Sequence, residues 1–423
     1  MSRFTKLGVL MTVVLVTLFV LPLVVPAVAQ GPDYVTYNSY NGDPVPRAFD
    51  EQMVEMWNGE NPFLPVEHSI IAHEDFKTAI RAYLTADPAP DVLTWFAGNR
   101  TQFFIDQGLV ADISDVWADY GFNDTYAPGF RALSTVDGSQ YFLPTSYYWW
   151  AVYYRPSMFA EAGIESEPQT WDELLATCDA LNAAGYAPFT IGTRFRWTAA
   201  AWFDYINMRV NGPEFHLSLM LLEESYTDER VRNVFTYWNQ LFEHNCFIDN
   251  PSAYSWQEGL EFMVQGDAAM YLMGQFILDS YPDDMEDDLD FFRFPIIDPN
   301  VPIGEDAPTD GLLMAANARN LDGGKEFLAY MGSQEVQQMA FEEMGRLPTR
   351  TDVDISSADE MTQKGINLIQ TADFVMQFYD RDTTPPMADA GMDGFMRFWE
   401  NPDDIDSILE ELEAERLRLL EAE

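Results

Sequence analysis

Residues 34–43 read YVTYNSYNGD, a short stretch of β-forming residues that ends in turn-forming ones. Apolar or aromatic side chains alternate with polar ones over 34–40, which predicts a strand. The following Asn-Gly-Asp-Pro has the composition of a turn. Beyond the turn, Phe49, Met53 and Trp57 recur at helical spacing and predict a helix over about 46–58. The folded part of the chain therefore begins with a strand, a turn and a helix.

The same succession repeats downstream. VEHSIIAH (66–73) predicts a second strand, HEDFKTAIRAYLTAD (73–87) a second helix, and PAPDVLTWF (88–96) a third strand after a proline turn. Strands that alternate with helices pair in parallel through right-handed crossovers. The fold class predicted from this region is α/β.

The rest of the chain continues the mixture of helices and strands. In PQTWDELLATCDALNAAG (168–185), Thr170 and Glu173 form a capping-box pattern and Gly185 a stop signal. Other predicted elements are a helix that ends near Gly266 followed by an apolar segment, a strand in FFRFPIIDP (291–299), a helix pair over 322–345, and an amphipathic helix from Ile405. The acidic run DDMEDDLD (283–290) is interpreted as a solvated loop.

Length and charge restrict the class of protein. A chain of 423 residues exceeds one ordinary core, so two lobes are expected. It carries 69 acidic and 23 basic residues, a formal net charge of −46. Such an acidic surface repels nucleic acid and anionic lipid, so no nucleic-acid partner is expected. We interpret the excess as adaptation to a salty or otherwise demanding medium; a cationic ligand is the alternative.

The N-terminus has the features of an export signal. Two basic residues in MSRFTK precede a strongly apolar stretch, and Ala27-Val28-Ala29 supplies small residues for cleavage after Ala29. The alternative is an uncleaved anchor, because the apolar span approaches the ~20 residues that cross a bilayer. The protein is therefore expected to be exported, periplasmic or extracellular, and held at the outer face of the cell membrane if the segment is retained.

Cysteine and histidine are too few for a metal site. Cys178 and Cys246 are the two cysteines of the chain; they either pair or remain buried thiols. Four scattered histidines show no zinc-type spacing. No metal and no cofactor is expected.

Seven stretches in order resemble the carbohydrate-binding family of extracellular solute-binding proteins of ABC importers, the family that includes maltose-binding protein. They span nearly the whole mature chain: APDVLTWF, QGLVADISDVW, YFLPTSYYWWAVYYRPSMFAEAGI, PQTWDELL, FMVQGDAAMYLMGQF, FRFPIIDP and KEFLAYMGSQEVQQMAFEEMGRLPTR. Each is weak alone, and their order carries the resemblance.

The resemblance implies a two-lobe, type II binding-protein fold with a hinge and an interlobe cleft. After a signal peptide over 1–29, the implied N-terminal lobe comprises 30–146 with 294–348, and the C-terminal lobe 147–293 with 349–423. Crossings are expected near 144–149, 291–294 and 347–351. A monomer that closes on a carbohydrate and is recognised by membrane permease subunits, without catalysis, is the expected behaviour.

Sugar binding needs flat aromatic faces beside hydroxyl-bonding polar groups. Three regions of the sequence have this mixture: the turn after the first strand, the end of the third strand, and the aromatic run 141–159 together with matching segments of the second lobe. The candidate ligand-binding residues are Tyr40, Asn41, Asp43, Trp95, Asn99, Arg100, Tyr147, Tyr148, Trp149, Arg196, Trp197, Gln275, Phe276, Gly311 and Asp389.

Several of these assignments have alternatives. The residues after the first strand also suit a plain turn, and Trp95, which the resemblance aligns with a sugar-stacking tryptophan, also suits a core position. Asn99 stands where the family commonly has a carboxylate. Within the aromatic run, residues 151–154 are expected in the core and residues 147–149 at the cleft. Gly311 matches a family glycine that lets backbone approach the ligand.

Two other functions stay open. Aromatic and carboxylate side chains also bind ammonium groups, so a receptor for a polyamine or other polar solute is an alternative. An exported carbohydrate-active enzyme is a second alternative, because carboxylate pairs occur by chance among so many acidic residues. The sequence has no nucleophile elbow, zinc-protease motif, P-loop or dinucleotide-binding fingerprint.

Overall fold

The computed structural model describes residues 34–422. The predicted signal segment, 1–29, lies outside the described residues. Within 34–422, no helix combines the length and the apolar character that crossing a membrane requires.

Helices and strands alternate through the described chain. The strands are β1 Val35–Ser39, β2 Val66–Ile70, β3 Val92–Phe96, β4 Thr135–Val136, β5 Ser139–Gln140, β6 Phe142–Tyr147, β7 Trp150–Tyr154, β8 Ala187–Phe189, β9 Ala268–Gly274, β10 Asp290–Phe292, β11 Gly304–Asp306, β12 Thr309–Met314 and β13 Phe374–Met376. The α-helices are α1 Pro44–Glu60, α2 His73–Thr85, α3 Asn99–Ile105, α4 Ser114–Asp119, α5 Phe122–Thr125, α6 Pro128–Leu133, α7 Pro156–Glu161, α8 Trp171–Ala184, α9 Trp197–Asn211, α10 Pro213–Met220, α11 Glu229–Glu243, α12 Trp256–Val264, α13 Leu321–Met331, α14 Gln334–Met344, α15 Glu360–Gln370, α16 Tyr379–Asp382, α17 Pro385–Glu400 and α18 Ile405–Leu420.

The first sheet contains the three strands predicted around the opening stretch. Its order is β2-β1-β3-β12-β6. β1 pairs in parallel with β2 and with β3, which confirms the predicted parallel arrangement. β12 returns antiparallel between β3 and β6. Every residue of β3 is buried, as expected for a central strand covered on both faces.

The second sheet begins three residues after the first sheet's β6 ends. Its order is β10-β7-β9-β8, and all residues of β7 and β9 are buried. Ala151, Val152, Tyr153 and Tyr154 lie in its core, which confirms the core assignment for that part of the aromatic run. The chain thus leaves one sheet and enters the other at residues 148–149.

Local signals in the sequence set several helix ends. Thr170 and Glu173 form both hydrogen bonds of a capping box at the start of α8, and Gly185 ends that helix in the left-handed conformation. Ser255 and Glu258 form a second capping box at the start of α12. These bonds satisfy backbone N–H groups that would otherwise lack a partner at the helix start.

Cys178 and Cys246 are joined by a disulfide, with 5.4 Å between their Cα atoms. This decides between the two alternatives that the sequence left open. The bridge joins α8 to the strand-like segment after α11 across a sequence separation of 68 residues. Closing a loop of that length removes unfolded-chain entropy and stabilises a fold by roughly 4 kcal/mol in the chain-entropy picture.

Two predicted elements differ from the structure. FFRFPIIDP forms a strand only over β10, because Pro295 cannot donate to a sheet ladder and the chain continues instead beside α8 and α9. Asp283, Asp284, Glu286 and Asp287 of the acidic run are exposed as expected, but residues Asp283–Asp288 form a 3-10 helix and Leu289 is buried. Asp288 at its end accepts from the Arg155 guanidinium at 2.8 Å, which fixes the segment against the second sheet.

The contact between Trp149 and Gly365 provides a test of packing in the second sheet's core. A Cβ at Gly365 would lie 2.4 Å from Trp149 Cδ2, and Trp149 is 0% exposed. We expect Gly365→Ala to lower the free energy of unfolding in urea by roughly 1–3 kcal/mol through overpacking. Gly59→Ala, at a helical glycine with open space around it, is the matched control and should be neutral or stabilising. Equal effects of the two substitutions would contradict the packing argument.

Candidate functional site

A cavity of about 440 Å³ lies where the two larger sheets face each other. The first sheet contributes residues that follow β1 and β2 and residues at the end of β3, the carboxyl ends of its parallel strands. The second sheet contributes Trp150 from β7 and Phe276, which follows β9. A site at the carboxyl ends of parallel strands is typical of α/β proteins, and this volume is in the usual small-molecule range of roughly 300–1,000 Å³.

Aromatic rings form much of the cavity wall. They are Tyr37, Tyr40, Phe49, Phe96, Tyr148, Trp150, Phe195, Trp197, Trp256, Phe276 and Phe378. Trp150 stacks on Phe378 with 4.7 Å between ring centroids. Phe276 meets Trp256 edge to face at 5.3 Å and Tyr148 at 5.4 Å. These contacts fix the rings in place before any ligand enters.

Arg381 is the central cation of the cavity. Its guanidinium donates to Asp310 Oδ1 and to the Tyr148 hydroxyl, each at 2.8 Å, and its Cζ lies 4.2 Å from the centroid of Phe96. Burial alone would lower its pKa, but the acidic groups around it, Tyr148 and Asp310 first, outweigh that effect and raise it. Arg381 therefore keeps its positive charge although it is buried, and it forms an ion pair with Asp310.

Asp380, the neighbour of Arg381 on α16, is held by two cations from the first sheet's helices. Arg100 Nη1 lies 2.6 Å and Lys77 Nζ 3.3 Å from its Oδ2. Burial alone would raise the pKa of Asp380, but Lys77 and Arg100 outweigh it and hold the pKa well below its usual value. α16 is thereby fixed to the first sheet by buried, charge-assisted bonds.

Residues 98–99 position α16 through its backbone. Asn99 Nδ2 donates to the Asp382 carbonyl oxygen at 2.6 Å. Gly98 has φ of +95°, and a Cβ there would lie 2.6 Å from the Arg381 carbonyl oxygen. Glycine is required both by this backbone conformation and by this close approach.

Asp50 accepts hydrogen bonds from the end of β1 and from the turn that follows it. Its Oδ2 accepts from Ser39 Oγ at 2.5 Å, Asn41 Nδ2 at 3.0 Å and Tyr37 Oη at 3.1 Å. The donation by Asn41 commits one amide N–H to Asp50 and orients the side chain that lines the cavity. Burial raises the pKa of Asp50 to about 6 against the opposing effect of these donors.

Polar contacts also join the two sides of the cavity. Gln257 Nε2, on α12, donates to Asp43 Oδ1 at 3.3 Å. Arg346 pairs with Asp279, and both line the cavity. These contacts connect elements of the first sheet with elements of the second sheet.

Seven of the residues predicted from the sequence line this cavity: Tyr40, Asn41, Asp43, Tyr148, Trp197, Phe276 and Gly311. Gly311 also has a packing reason to be glycine, because a Cβ there would lie 2.1 Å from the Leu143 carbonyl oxygen. The register of β12 against β6 shifts at this residue.

Four predicted residues from the first part of the chain lie outside the lining. Trp95 is 0% exposed and packs between Phe96, at 4.7 Å, and Phe104. Its alternative, a core position, is what the structure shows. Asn99 and Arg100 are engaged by α16, as described above, and Tyr147 packs on Phe130 with 4.9 Å between centroids.

Four predicted residues from the second part of the chain also lie outside it. Trp149 is buried against Gly365 and Phe291. Gln275 is 1% exposed and donates to the Gly345 carbonyl oxygen at 2.6 Å. Arg196 and Asp389 pair with each other at 3.1 Å on the outside of α17. The eight residues that lie outside the lining are therefore not proposed as ligand contacts.

Sequence reasoning missed several residues that the structure brings to the cavity: Lys77, Phe96, Trp150, Trp256, Gln257, Asp310, Phe378, Asp380 and Arg381. One signal was available for Trp150. Tyr148 and Trp150 line the cavity, whereas Tyr147 and Trp149 do not. This is the two-residue alternation of an extended chain, which the sequence analysis applied to other strands only.

Acidic residues are abundant, yet over 34–422 no group of three or more His, Cys, Asp or Glu side chains is placed to hold a metal ion.

Comparison with known proteins agrees with this arrangement. The crystal structure of the bacterial solute receptor AcbH, described as having an exclusive preference for β-D-galactopyranose, matches with a TM-score of 0.86 and 28% identity, covering 91% of this chain and 99% of that chain. A probable sugar-binding periplasmic protein of Mesorhizobium japonicum is 24% identical over 74% of this chain and 79% of its own. An uncharacterised ABC transporter extracellular-binding protein of Pyrococcus horikoshii is 23% identical over 71% of this chain and 67% of its own.

Two α/β lobes that enclose one cavity define the class of two-lobe solute-binding proteins. The chain belongs to the bacterial extracellular solute-binding protein family, whose model matches residues 41–338. It is thus classed with binding receptors and not with enzymes.

The burial of Asp50 predicts a pH dependence of stability. Its pKa is about 6 in the fold against 3.8 for an ordinary aspartate, so the native state keeps the proton to higher pH than the unfolded chain. Between these pKa values, rising pH therefore removes stability. The free energy of unfolding of the protein relative to Asp50→Asn should fall by about 2 kcal/mol between about pH 4.5 and about pH 7.5. Urea titrations at both pH values measure this difference, and a pH-independent difference would refute the assignment.

Proposed function

We propose that the protein is the sugar-binding receptor of an ABC-type import system and binds a mono- or oligosaccharide in the cavity. The observation that carries the proposal is the lining itself: eleven aromatic rings stand beside amide, hydroxyl and ion-paired groups. Pyranose faces pack on aromatic rings while their hydroxyls bond to polar groups around the edge. The galactose preference stated for AcbH supports the same ligand class.

The pairing of charges inside the cavity favours a neutral ligand. Lys77 contacts Glu74 and Asp380, Arg346 contacts Asp279, and Arg381 contacts Asp310. A charge that already has a fixed partner needs no counter-charge from the ligand, so a neutral polyol suits this lining. The paired groups still offer N–H donors and carboxylate acceptors to hydroxyls.

A cationic solute such as a polyamine is the second candidate. Seven carboxylic side chains line the cavity against four Lys or Arg side chains, and two of the seven, Asp43 and Asp75, follow β1 and β2 at the same edge. Aromatic faces would add cation–π attraction for an ammonium group. The two candidates differ in which compounds they predict will bind.

The lobe ranges also stay a proposal, with 30–146 and 294–348 in one lobe and 147–293 and 349–423 in the other. The membership of β6 and β7 in different sheets supports a crossing at 148–149. We further propose that the protein is exported, acts as a monomer, and delivers its ligand to membrane permease subunits. The family's description as extracellular supports export.

A thermal-shift screen distinguishes the candidate ligands. We expect the melting temperature to rise with D-galactose, D-glucose, maltose or raffinose, and to stay unchanged with putrescine, spermidine or amino acids. A ligand at 100 times its Kd adds about 2.7 kcal/mol to stability. A rise with polyamines alone would support the second candidate, and breakdown of an oligosaccharide in the same tubes would contradict a receptor.

Two tryptophans test which rings form the site. Trp256→Ala removes a cavity-lining ring, and we expect it to lower sugar affinity more than stability. Trp95→Ala is the matched core control; it should lower the free energy of unfolding by about 3–5 kcal/mol while the folded protein binds as before. Isothermal titration and urea unfolding of both variants provide the measurements. Loss of sugar affinity in the folded Trp95 variant would show that Trp95 contributes to ligand binding after all.

A further inference from the structure

The turn Phe195-Arg196-Trp197 has a strained backbone at the edge of the cavity. Arg196 has φ of +64° and ψ of −36°, a conformation that side-chain-bearing residues rarely adopt. The Trp197 N–H donates to the Phe195 carbonyl oxygen at 2.7 Å, which closes a three-residue γ-turn of the rarer, strained hand. Strain of this kind persists only where surrounding contacts impose it, and it concentrates at ligand sites.

Both residues that flank Arg196 line the cavity. Trp197 is 9% exposed, and its ring contacts Trp150 edge to face at 6.0 Å between centroids. Phe195 is 40% exposed, an unusual state for a phenylalanine at a cavity wall. The turn therefore places one ring inside the cavity and leaves a second ring facing solvent at its mouth.

The side chain of Arg196 is not part of the cavity lining and anchors the turn to α17. Its guanidinium pairs with Asp389 at 3.1 Å and also with Asp393. The two carboxylates are four residues apart on α17 and so share one face of that helix. On the other side of the turn, Arg194 pairs with Glu258 of α12 at 2.7 Å.

We propose that Arg196 is a positioning residue for ligand specificity, an inference that rests on the proposed function. Through Asp389 and Asp393 it holds the strained turn that presents Phe195 and Trp197. The Phe195 ring contacts the part of an oligosaccharide that projects from the cavity mouth, whereas a single sugar ring bound inside does not reach it. Arg196 itself makes no ligand contact.

The test compares a short and a longer sugar in each of several variants. Isothermal titration with D-galactose and raffinose, and with D-glucose and maltose, gives the ratio of affinities within each pair. We expect Phe195→Ala and Arg196→Gly to weaken binding of the longer sugar by about two- to tenfold, the contribution of one aromatic contact, and to leave the shorter sugar unchanged. Arg196→Gly tolerates positive φ, so its melting temperature should not fall.

The double variant Asp389→Asn with Asp393→Asn separates positioning from direct contact. It keeps Arg196 but removes its anchors, and we expect the same loss for the longer sugar as in Arg196→Gly. A loss in Arg196→Gly alone would show that Arg196 contacts the ligand directly and would overturn the proposal. Equal affinity ratios in all variants would overturn it as well. Arg232→Ala, which removes the exposed Arg232–Asp406 pair, is the control and should change neither sugar's affinity.

Hydrogen exchange measured without ligand tests the positioning role of Arg196 independently of the proposed function. The Trp197 amide is protected by its bond to Phe195, so exchange in the peptide containing it should accelerate about tenfold or more in the double Asp variant and not in Arg232→Ala. If exchange accelerates in the double Asp variant but the protein binds no sugar, the positioning role of Arg196 is supported and only the proposed ligand class is refuted. Unchanged exchange would refute the positioning role whatever the ligand.

Discussion

The buried ion pairs of α16 are the interaction on which the site depends. Asp380 lies between Lys77 and Arg100, and Arg381 lies between Asp310 and Tyr148. These partners come from positions spread over about three hundred residues of the chain. Removing one partner of such a pair leaves an uncompensated buried charge, which costs about 3–5 kcal/mol. The two charges at Asp380 and Arg381 are therefore satisfied only when the first sheet and its helices are assembled around this four-residue helix.

The same pairing explains how so acidic a chain holds cations inside its cavity. The surface carries the excess of carboxylates, and three of the four Lys and Arg side chains that line the cavity, Lys77, Arg346 and Arg381, each lie beside a carboxylate. Pairing in a buried place is screened much less by salt than pairing on the surface. The site's polarity is thus set by fixed internal partners and remains distinct from the charge of the outer surface.

Sequence reasoning succeeded where the determining interactions are local. The capping box at Thr170, the stop at Gly185 and the parallel strands around 34–96 depend on neighbours within a few residues or on a repeated pattern. It succeeded only in part for the aromatic run. The core prediction for residues 151–154 was correct, whereas the prediction for 147–149 placed all three residues at the cleft. In the structure Tyr148 lines the cavity and Trp149 packs on Gly365, because successive side chains of an extended segment point to opposite sides.

The sequence by itself determined the α/β class, the family resemblance and the presence of aromatic side chains at the site, since these follow from composition, periodicity and motif order. Only the tertiary structure decided that Cys178 and Cys246 pair, that Trp95 is core, and that Arg381 is the cavity's central cation. The physical reason is the same in each case. Whether a side chain is buried, paired or free at a cavity depends on partners far away in the chain, and no local pattern encodes their approach.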